Sequence, residues 1–314
     1  MTPRDVSLAG FLRRGDWAGW TQTPITGDAS QRRYLRLTGP DGAGSVIVMD
    51  APPDHGETVA SFVSIARHLC SIGLAAPRIL ASDLTAGFLV LDDLGTRDFA
   101  GWIRDSPGDE GLLYAAAVDT LIHLQAAAPP PGLTALTPQV AGAMVGLVGD
   151  WYVRGDVTRL TKAVTTAFAR LVDPALVLSL RDFHAENLIW RPAFSGTDRV
   201  GLLDFQDAFL AHPAYDLASL LRDARRDVSA DLCAAMIARF AGATGADPAA
   251  LGATFACLAV QRNLRILGIF ARLVQRDGKA KYAALMPRVR GYLMTDLGHP
   301  ALADLRRTVL DVLR

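Results

Sequence analysis

The sequence predicts an α+β chain with a small strand-rich N-terminal lobe, residues 1–92, and a larger, mostly helical C-terminal lobe, residues 93–314. Three observations carry this. Strand-like runs at 30–38 and 45–49 flank Gly39-Pro40-Asp41-Gly42-Ala43-Gly44, a turn made of residues that permit tight reversal. The composition changes after Asp92-Asp93-Leu94-Gly95. Beyond that point apolar residues recur at helical spacing almost to the end, broken only near 176–180, 187–190 and 199–204.

Taken in order, residues 1–15 read as a short helix. The hairpin of 30–38 and 45–49 follows, its alternation giving the lobe an antiparallel sheet. Residues 57–72 place Val59, Phe62, Val63, Ala66 and Leu69 on one helical face, and Gly73 ends that helix as a C′ glycine. Two more strands are expected at Arg78–Ala81 and Gly87–Leu91. Helices are then expected at about 110–127, 138–154, 157–172, 213–224, 229–242, 250–275, 279–296 and 300–313.

Half of the 314 residues are hydrophobic and 20% are charged, with 32 basic against 32 acidic side chains. This is a globular balance with no excess of either charge, which argues against a nucleic-acid partner. Cys70, Cys233 and Cys257 lie far apart and outside any metal-binding spacing, so they read as buried thiols in a reducing compartment. The first ten residues contain no long apolar run, and the uncharged stretch 129–149 is too rich in proline in its first half to span a bilayer. A cytoplasmic monomer without a membrane partner is the expectation.

The chemistry concentrates in Leu180-Arg181-Asp182-Phe183-His184-Ala185-Glu186-Asn187 and in Leu202-Leu203-Asp204-Phe205-Gln206-Asp207. An Asp, an Asn five residues on, and an Asp after an apolar strand form the polar set of a kinase-type phosphoryl transferase. Asp182 would accept the proton of an attacking hydroxyl. Asn187 and Asp204 would hold Mg²⁺ on the phosphates of ATP, since magnesium takes hard oxygen ligands shared with phosphate. A carboxylate buried at the end of a strand would be costly unless paired or metal-bound. His184 and Gln206 lie close to these residues in sequence and are candidate substrate contacts, although a histidine in such a loop more often holds the loop's shape. Asp216, at the start of a helix, can bond free backbone amides and brace the loop. In the small lobe, Gly27-Asp28-Ala29-Ser30 leads into a strand and can present backbone amides to a phosphate, with Ser30 as the candidate contact. No Walker-type phosphate loop is present.

Asp-Phe-His-Ala-Glu-Asn resembles the Asp-x-His-x-x-Asn core of the aminoglycoside phosphotransferase family. Leu203–Ala208 and Pro213–Leu217 resemble its next two blocks. The resemblance implies a protein-kinase-like two-lobed fold and transfer of the ATP γ-phosphate to a small molecule. A narrower resemblance runs through residues 27–34, Val48-Met49-Asp50-Ala51-Pro52-Pro53, Gln261-Arg262-Asn263-Leu264 and Arg276-Asp277-Gly278-Lys279. It is to the bacterial cell-wall-recycling kinases that phosphorylate the 1-hydroxyl of N-acetylmuramate and N-acetylglucosamine, and it implies an amino-sugar substrate. It also implies a hinge at Leu89–Leu94 for the adenine, with Asp92 and Leu94 as nucleotide contacts. Where the family has a strand lysine this chain has Met49-Asp50, and no lysine precedes Lys162. Arg32, Arg33 or Arg36 would then grip the phosphates, Arg33 foremost, with Glu57 to steady it. Three other readings stand beside this one: a kinase for aminoglycosides or another small molecule, a non-catalytic nucleotide-binding protein, and a metal-dependent hydrolase using Asp182, His184, Asp204 and His212.

Overall fold

The computed structural model describes residues 2–25, 32–53 and 59–313. They form two compact units: Met1–Arg97 with Ile189–Asp207, and Asp98–Leu188 with Ala208–Arg314. This division departs from a single cut after residue 92. Leu202 N donates to Ala75 O at 2.8 Å, and Phe205 stacks on Phe62 with centroids 4.9 Å apart, so the segment carrying Asp204 packs with N-terminal residues.

The first unit opens with α1 (Pro3–Arg13). Thr2 caps this helix: its hydroxyl accepts from Asp5 N, and Asp5 Oδ2 accepts from Thr2 N in return, a capping box of about 1 kcal/mol. The strands β1 (Thr21–Ile25), β2 (Arg33–Thr38) and β3 (Ser45–Asp50) come next. After α2 (Val59–Ser71) come β4 (Ile79–Asp83) and β5 (Phe88–Asp92). The sheet order is β1-β2-β3-β5-β4, with every neighbouring pair antiparallel. Its register sets Leu35 opposite Val48 and Leu37 opposite Val46. These side chains pack with Leu8, Phe11 and Leu12 of α1 and with Phe88 and Val90 of β5. The same alternation puts Arg33 and its partner Asp50 on the α1 face. Gly87 turns β4 into β5 at φ 76°, and a Cβ there would lie 1.9 Å from Ala51 O, so no other residue fits without moving the chain.

The second unit begins with α3 (Phe99–Asp105), α4 (Glu110–Ala126), α5 (Pro138–Met144) and α6 (Thr158–Leu171). The expected helix over 138–154 is interrupted: α5 stops at Met144 and a π-helical turn occupies Val148–Val153. The chain is closely packed at the break: a Cβ on Gly149 would come within 2.6 Å of Val157, and Gly268 lies against the Leu147 backbone. Strand β6 (Val177–Ser179) follows, and β9 (Phe209–Ala211), numbered after β7 (Leu188–Trp190) and β8 (Val200–Leu202), returns antiparallel to β6; β7 and β8 pair with each other and, Leu188 apart, belong to the first unit. Five helices complete the chain: α7 (Ala214–Leu221), α8 (Ala230–Thr244), α9 (Pro248–Gln275), α10 (Met286–Asp296) and α11 (Ala303–Val312). Helix α9 is the axis of this unit and packs against α6, α7, α8 and α10. Asp247 caps it by accepting from Ala250 N at 2.7 Å, and Pro248 occupies its first turn, where a missing N–H costs nothing. Most of its length is buried, including polar Gln261, Arg262 and Asn263. All three cysteines are free. No described helix is long and apolar enough to cross a membrane.

Candidate active site

The Asp182 loop leaves β6 and is anchored at once. Asp216, 1% exposed in the first turn of α7, accepts from Ser179 Oγ at 2.7 Å, Leu180 N at 2.6 Å and Arg181 N at 2.9 Å. Burial pushes the Asp216 carboxyl up to about 6, while the bonds from Ser179 and Leu180 and the Arg262 charge pull the other way. Arg181 sits at φ 71°, a left-handed conformation that costs a non-glycine residue on the order of 1–2 kcal/mol. Its peptide is held on both sides. The nitrogen donates to Asp216, and the carbonyl accepts from Arg262 Nη1 at 2.8 Å and from Ser219 Oγ at 3.2 Å. Arg262 Nη2 closes the circle on Ser219 Oγ at 2.6 Å. A strained residue clamped from two helices fixes where the next side chain, half-buried Asp182, leaves the backbone.

The far end of the loop is held as tightly. Asn187 Nδ2 lies 2.9 Å from Asp182 O and 3.2 Å from His184 Nε2. A carbonyl oxygen can only accept, so the amide atom facing it is the nitrogen. Both amide hydrogens are thereby used, and Oδ1 is the atom able to ligate a cation. Arg225 Nη1, also a donor, stands 3.2 Å from the same His184 Nε2. Two donors on one ring nitrogen make it the acceptor, so His184 carries its proton on Nδ1. The ring is 7% exposed; burial first, then the Arg225 and Arg262 charges, push its pKa well below the usual histidine range. Arg225 Nε pairs with Glu186 at 2.8 Å. Buried Asp223 accepts from Arg225 N and Ala185 N, tying the loop to the turn after α7. His184 is buried among loop-holding contacts made through Nε2, with Nδ1 left without a hydrogen-bond partner among the described residues.

In the first unit, Asp204 follows Leu203 after β8 and is exposed, contrary to a buried strand-end carboxylate. Like Arg181 it has a positive φ, 57°, and Gln206 Nε2 donates to its Oδ1 at 2.7 Å. Asn187 and Asp204 offer hard oxygens, the donor type that suits magnesium. No three His, Cys, Asp or Glu side chains cluster as a metal site among the described residues. His212 Nδ1 accepts from Ala214 N at 3.0 Å as a helix cap. These contacts leave the hydrolase set without a metal-binding geometry.

Arg33 is engaged by two carboxylates on the α1 face. Its Nη2 lies 2.6 Å from Asp50 and 3.1 Å from Asp5, and Arg4 shares the wholly buried Asp50 carboxylate. These pairs raise the Arg33 pKa, the Asp50 bond most of all, and hold Asp5 down at about 2, chiefly through its bonds to Thr2. Of the pair Met49-Asp50, Met49 is a wholly buried apolar side chain and Asp50 a buried anion on the α1 face. Buried Arg32 lies just before β2, and by alternation faces the side opposite Arg33. Ser30 and Glu57 lie outside the described residues. In the hinge segment Asp92 pairs with Arg78, and the chain continues through half-buried Leu94, whose methyl would touch a Cβ on Gly201 at 3.1 Å. Asp93 accepts from Arg36 Nε at 2.6 Å, Ser45 Oγ at 2.7 Å and Gly95 N at 3.0 Å. Burial acts to raise its pKa, but these bonds hold it below the usual carboxylate range. The contacts of this clamp on residues 93–95, like those of Arg225 and Arg262 with the Asp182 loop, could not be read from the sequence, because the partners lie far apart along the chain.

The sequence profile of the phosphotransferase enzyme family matches residues 21–254. The chain belongs to that family. An N-acetylmuramate/N-acetylglucosamine kinase of Caulobacter vibrioides is 37% identical over 96% of this chain and 95% of its own length. Its namesake in Pseudomonas putida is 33% identical over 98% and 94%. The crystal structure of a choline/ethanolamine kinase family protein from Mesorhizobium loti superposes with a TM-score of 0.66, covering 99% of each chain at 16% identity. The fold is thus protein-kinase-like, with an antiparallel N-terminal sheet followed by a mostly helical remainder.

Proposed function

We propose that this protein is an ATP- and Mg²⁺-dependent kinase that phosphorylates the anomeric hydroxyl of N-acetylmuramate and N-acetylglucosamine. It would act as a cytoplasmic monomer in peptidoglycan recycling. The observation that carries the reading is the doubly anchored loop from Leu180 to Asn187, in a chain similar over almost its whole length to kinases of that name. Asp182 accepts the proton of the sugar hydroxyl as its oxygen attacks the γ-phosphorus in line. The bond to the β-phosphate oxygen breaks, ADP leaves, and the proton passes from Asp182 to solvent. Asn187 Oδ1 and the Asp204 carboxylate would hold Mg²⁺, which when bound neutralises phosphate charge. In the first unit, the backbone of the hinge at Asp92–Leu94 would take the adenine, and Arg32 replaces Arg33 as the candidate phosphate grip. Polycationic aminoglycosides suit this chain poorly, since Arg181, Arg262 and Arg265 surround the start of the loop.

The test is a panel of amino sugars with ATP, read by phosphorus NMR and by steady-state turnover. An anomeric phosphate is expected, and Asp182→Asn should lower kcat by roughly 10²–10⁴-fold with nucleotide affinity kept. A 6-phosphate would overturn the regiochemistry. Wild-type turnover in Asp182→Asn would remove Asp182 as the base, and the absence of ATP turnover in the parent protein would favour a non-catalytic nucleotide-binding role.

A further inference from the structure

The arginines of the second unit differ in what they are already doing; half-buried Arg265 and Arg272 of α9 make no hydrogen bond or ion pair among the described residues, and their places on the helix tell the two apart. Arg222, Arg226, Arg239 and Arg288 are paired with Asp296, Glu110, Asp119 and Asp227. Arg225 holds Glu186, and Arg262 spends its donors on Arg181 O and Ser219 Oγ. Arg265 is different. It is only partly exposed, yet among the described residues it makes no hydrogen bond and no ion pair.

Its place on α9 gives that isolation a meaning. Arg265 stands one helical turn beyond Arg262, on the face that Arg262 turns toward the Asp182 loop. Its electrostatic neighbours are Arg181, Tyr215, Asp182 and Arg262. Burial first, then the Arg181 charge, push the guanidinium below the ordinary arginine range. Arg265 thus lies within electrostatic reach of Asp182, the proposed base, with two further guanidinium groups beside it. A half-buried guanidinium whose donors make no hydrogen bond is costly, and the cost is relieved when an oxyanion arrives to accept from them. A guanidinium matches a carboxylate with two parallel N–H donors.

We propose that Arg265 is a specificity residue for an anionic acceptor sugar: it receives the lactyl carboxylate of N-acetylmuramate while Asp182 addresses the hydroxyl. This rests on the amino-sugar kinase reading above. The two named sugars differ in that carboxylate, carried on an ether at C3, two ring carbons from the anomeric centre. An oxyanion at this place has two possible sources, the sugar carboxylate and a nucleotide phosphate. The neighbourhood of the base favours the sugar, because the base must adjoin the acceptor.

The experiment compares the parent protein, Arg265→Gln and Arg265→Lys, with N-acetylmuramate and N-acetylglucosamine as acceptors and ATP varied separately. Arg265→Gln should raise KM for N-acetylmuramate roughly ten- to hundredfold, the scale of a lost charge-assisted contact. KM for N-acetylglucosamine and for ATP should stay near parental values. Arg265→Lys should recover part of the loss, as a point charge without the fork, and it keeps the test open if the Gln variant melts early. Equal losses on both sugars, or no change on either, would overturn the assignment. So would a raised KM for ATP, which would give Arg265 to the nucleotide instead. Failure of the parent protein to phosphorylate either sugar would be a separate result, sinking the amino-sugar reading and with it this one.

Discussion

Asn187 shows how a single amide can be given a direction by its surroundings. Its nitrogen is pinned by an oxygen that can only accept and by a ring nitrogen that faces two donors. The tautomer of His184 then follows from the orientation of the amide, which Asp182 O sets. Nitrogen-15 NMR of the imidazole should find His184 neutral, with Nε2 as the unprotonated nitrogen and the proton on Nδ1. A spectrum with the proton on Nε2 would remove the bond from Asn187 Nδ2 to the ring and leave the amide held by Asp182 O alone. The Asp182, Asn187 and Asp204 pattern was legible in the sequence because kinase-type chemistry demands those residue types at that spacing. The bonding role of His184 was not, since it depends on Arg225, which enters the loop's surroundings from the turn after α7. Arg33 misleads for the same reason. Its type and strand position suit a phosphate, but its face and its partner Asp50 come from the register with β3.

At the scale of elements, long apolar patterns gave the helices their places and short ones did not. The repeats behind α2, α4, α6 and α9 are strong enough to locate those helices to within a few residues. Strand β1 escapes detection because Thr21–Ile25 is polar and contains Pro24, which an edge strand tolerates. Helix α3 has only seven residues and β9 three, too few to show a period. The element that matters most for chemistry is α7, whose first turn carries Asp216 to the loop. Its carboxyl has a folded pKa of about 6 against 3.8 for the free group, so folding favours the protonated form. The stability it contributes is full below pH 3.8 and is lost as pH rises through 6, a change of roughly 3 kcal/mol. The ionised form, however, is the one that accepts from Ser179, Leu180 and Arg181 together. Activity should therefore fall on acidification through pH 6 while the stability contribution rises. Denaturant titrations of the parent protein and Asp216→Asn between these limits would show it as a stability difference that changes with pH. A flat difference would mean that the bonds cancel the burial and that Asp216 is ionised throughout.

For the whole molecule, the two units divide the proposed nucleotide chemistry between them by residue. Asp182 and Asn187 belong to one, and Asp204 belongs to the other together with the hinge segment. A ligand that engages only the folded chain stabilises it by mass action, about 2.7 kcal/mol at a hundred times its dissociation constant. For a chain of this size that corresponds to a rise in Tm on the order of 5 °C. MgADP should produce such a rise, and ADP with a chelator should produce much less. Asp204→Asn is the informative variant. Asp204 is exposed and sits at φ 57°, a conformation that asparagine adopts almost as readily, so the melting of the unliganded protein should hardly change. What the substitution removes is the negative charge, and magnesium held by one or two carboxylates depends on it. The variant should therefore melt like the parent protein alone and lose the magnesium-dependent part of the nucleotide shift. If the full shift survives in Asp204→Asn, the carboxylate is not a metal ligand; if the unliganded variant melts far earlier, its bond to Gln206 and its turn are structural, and the metal role assigned to it fails in favour of a folding one.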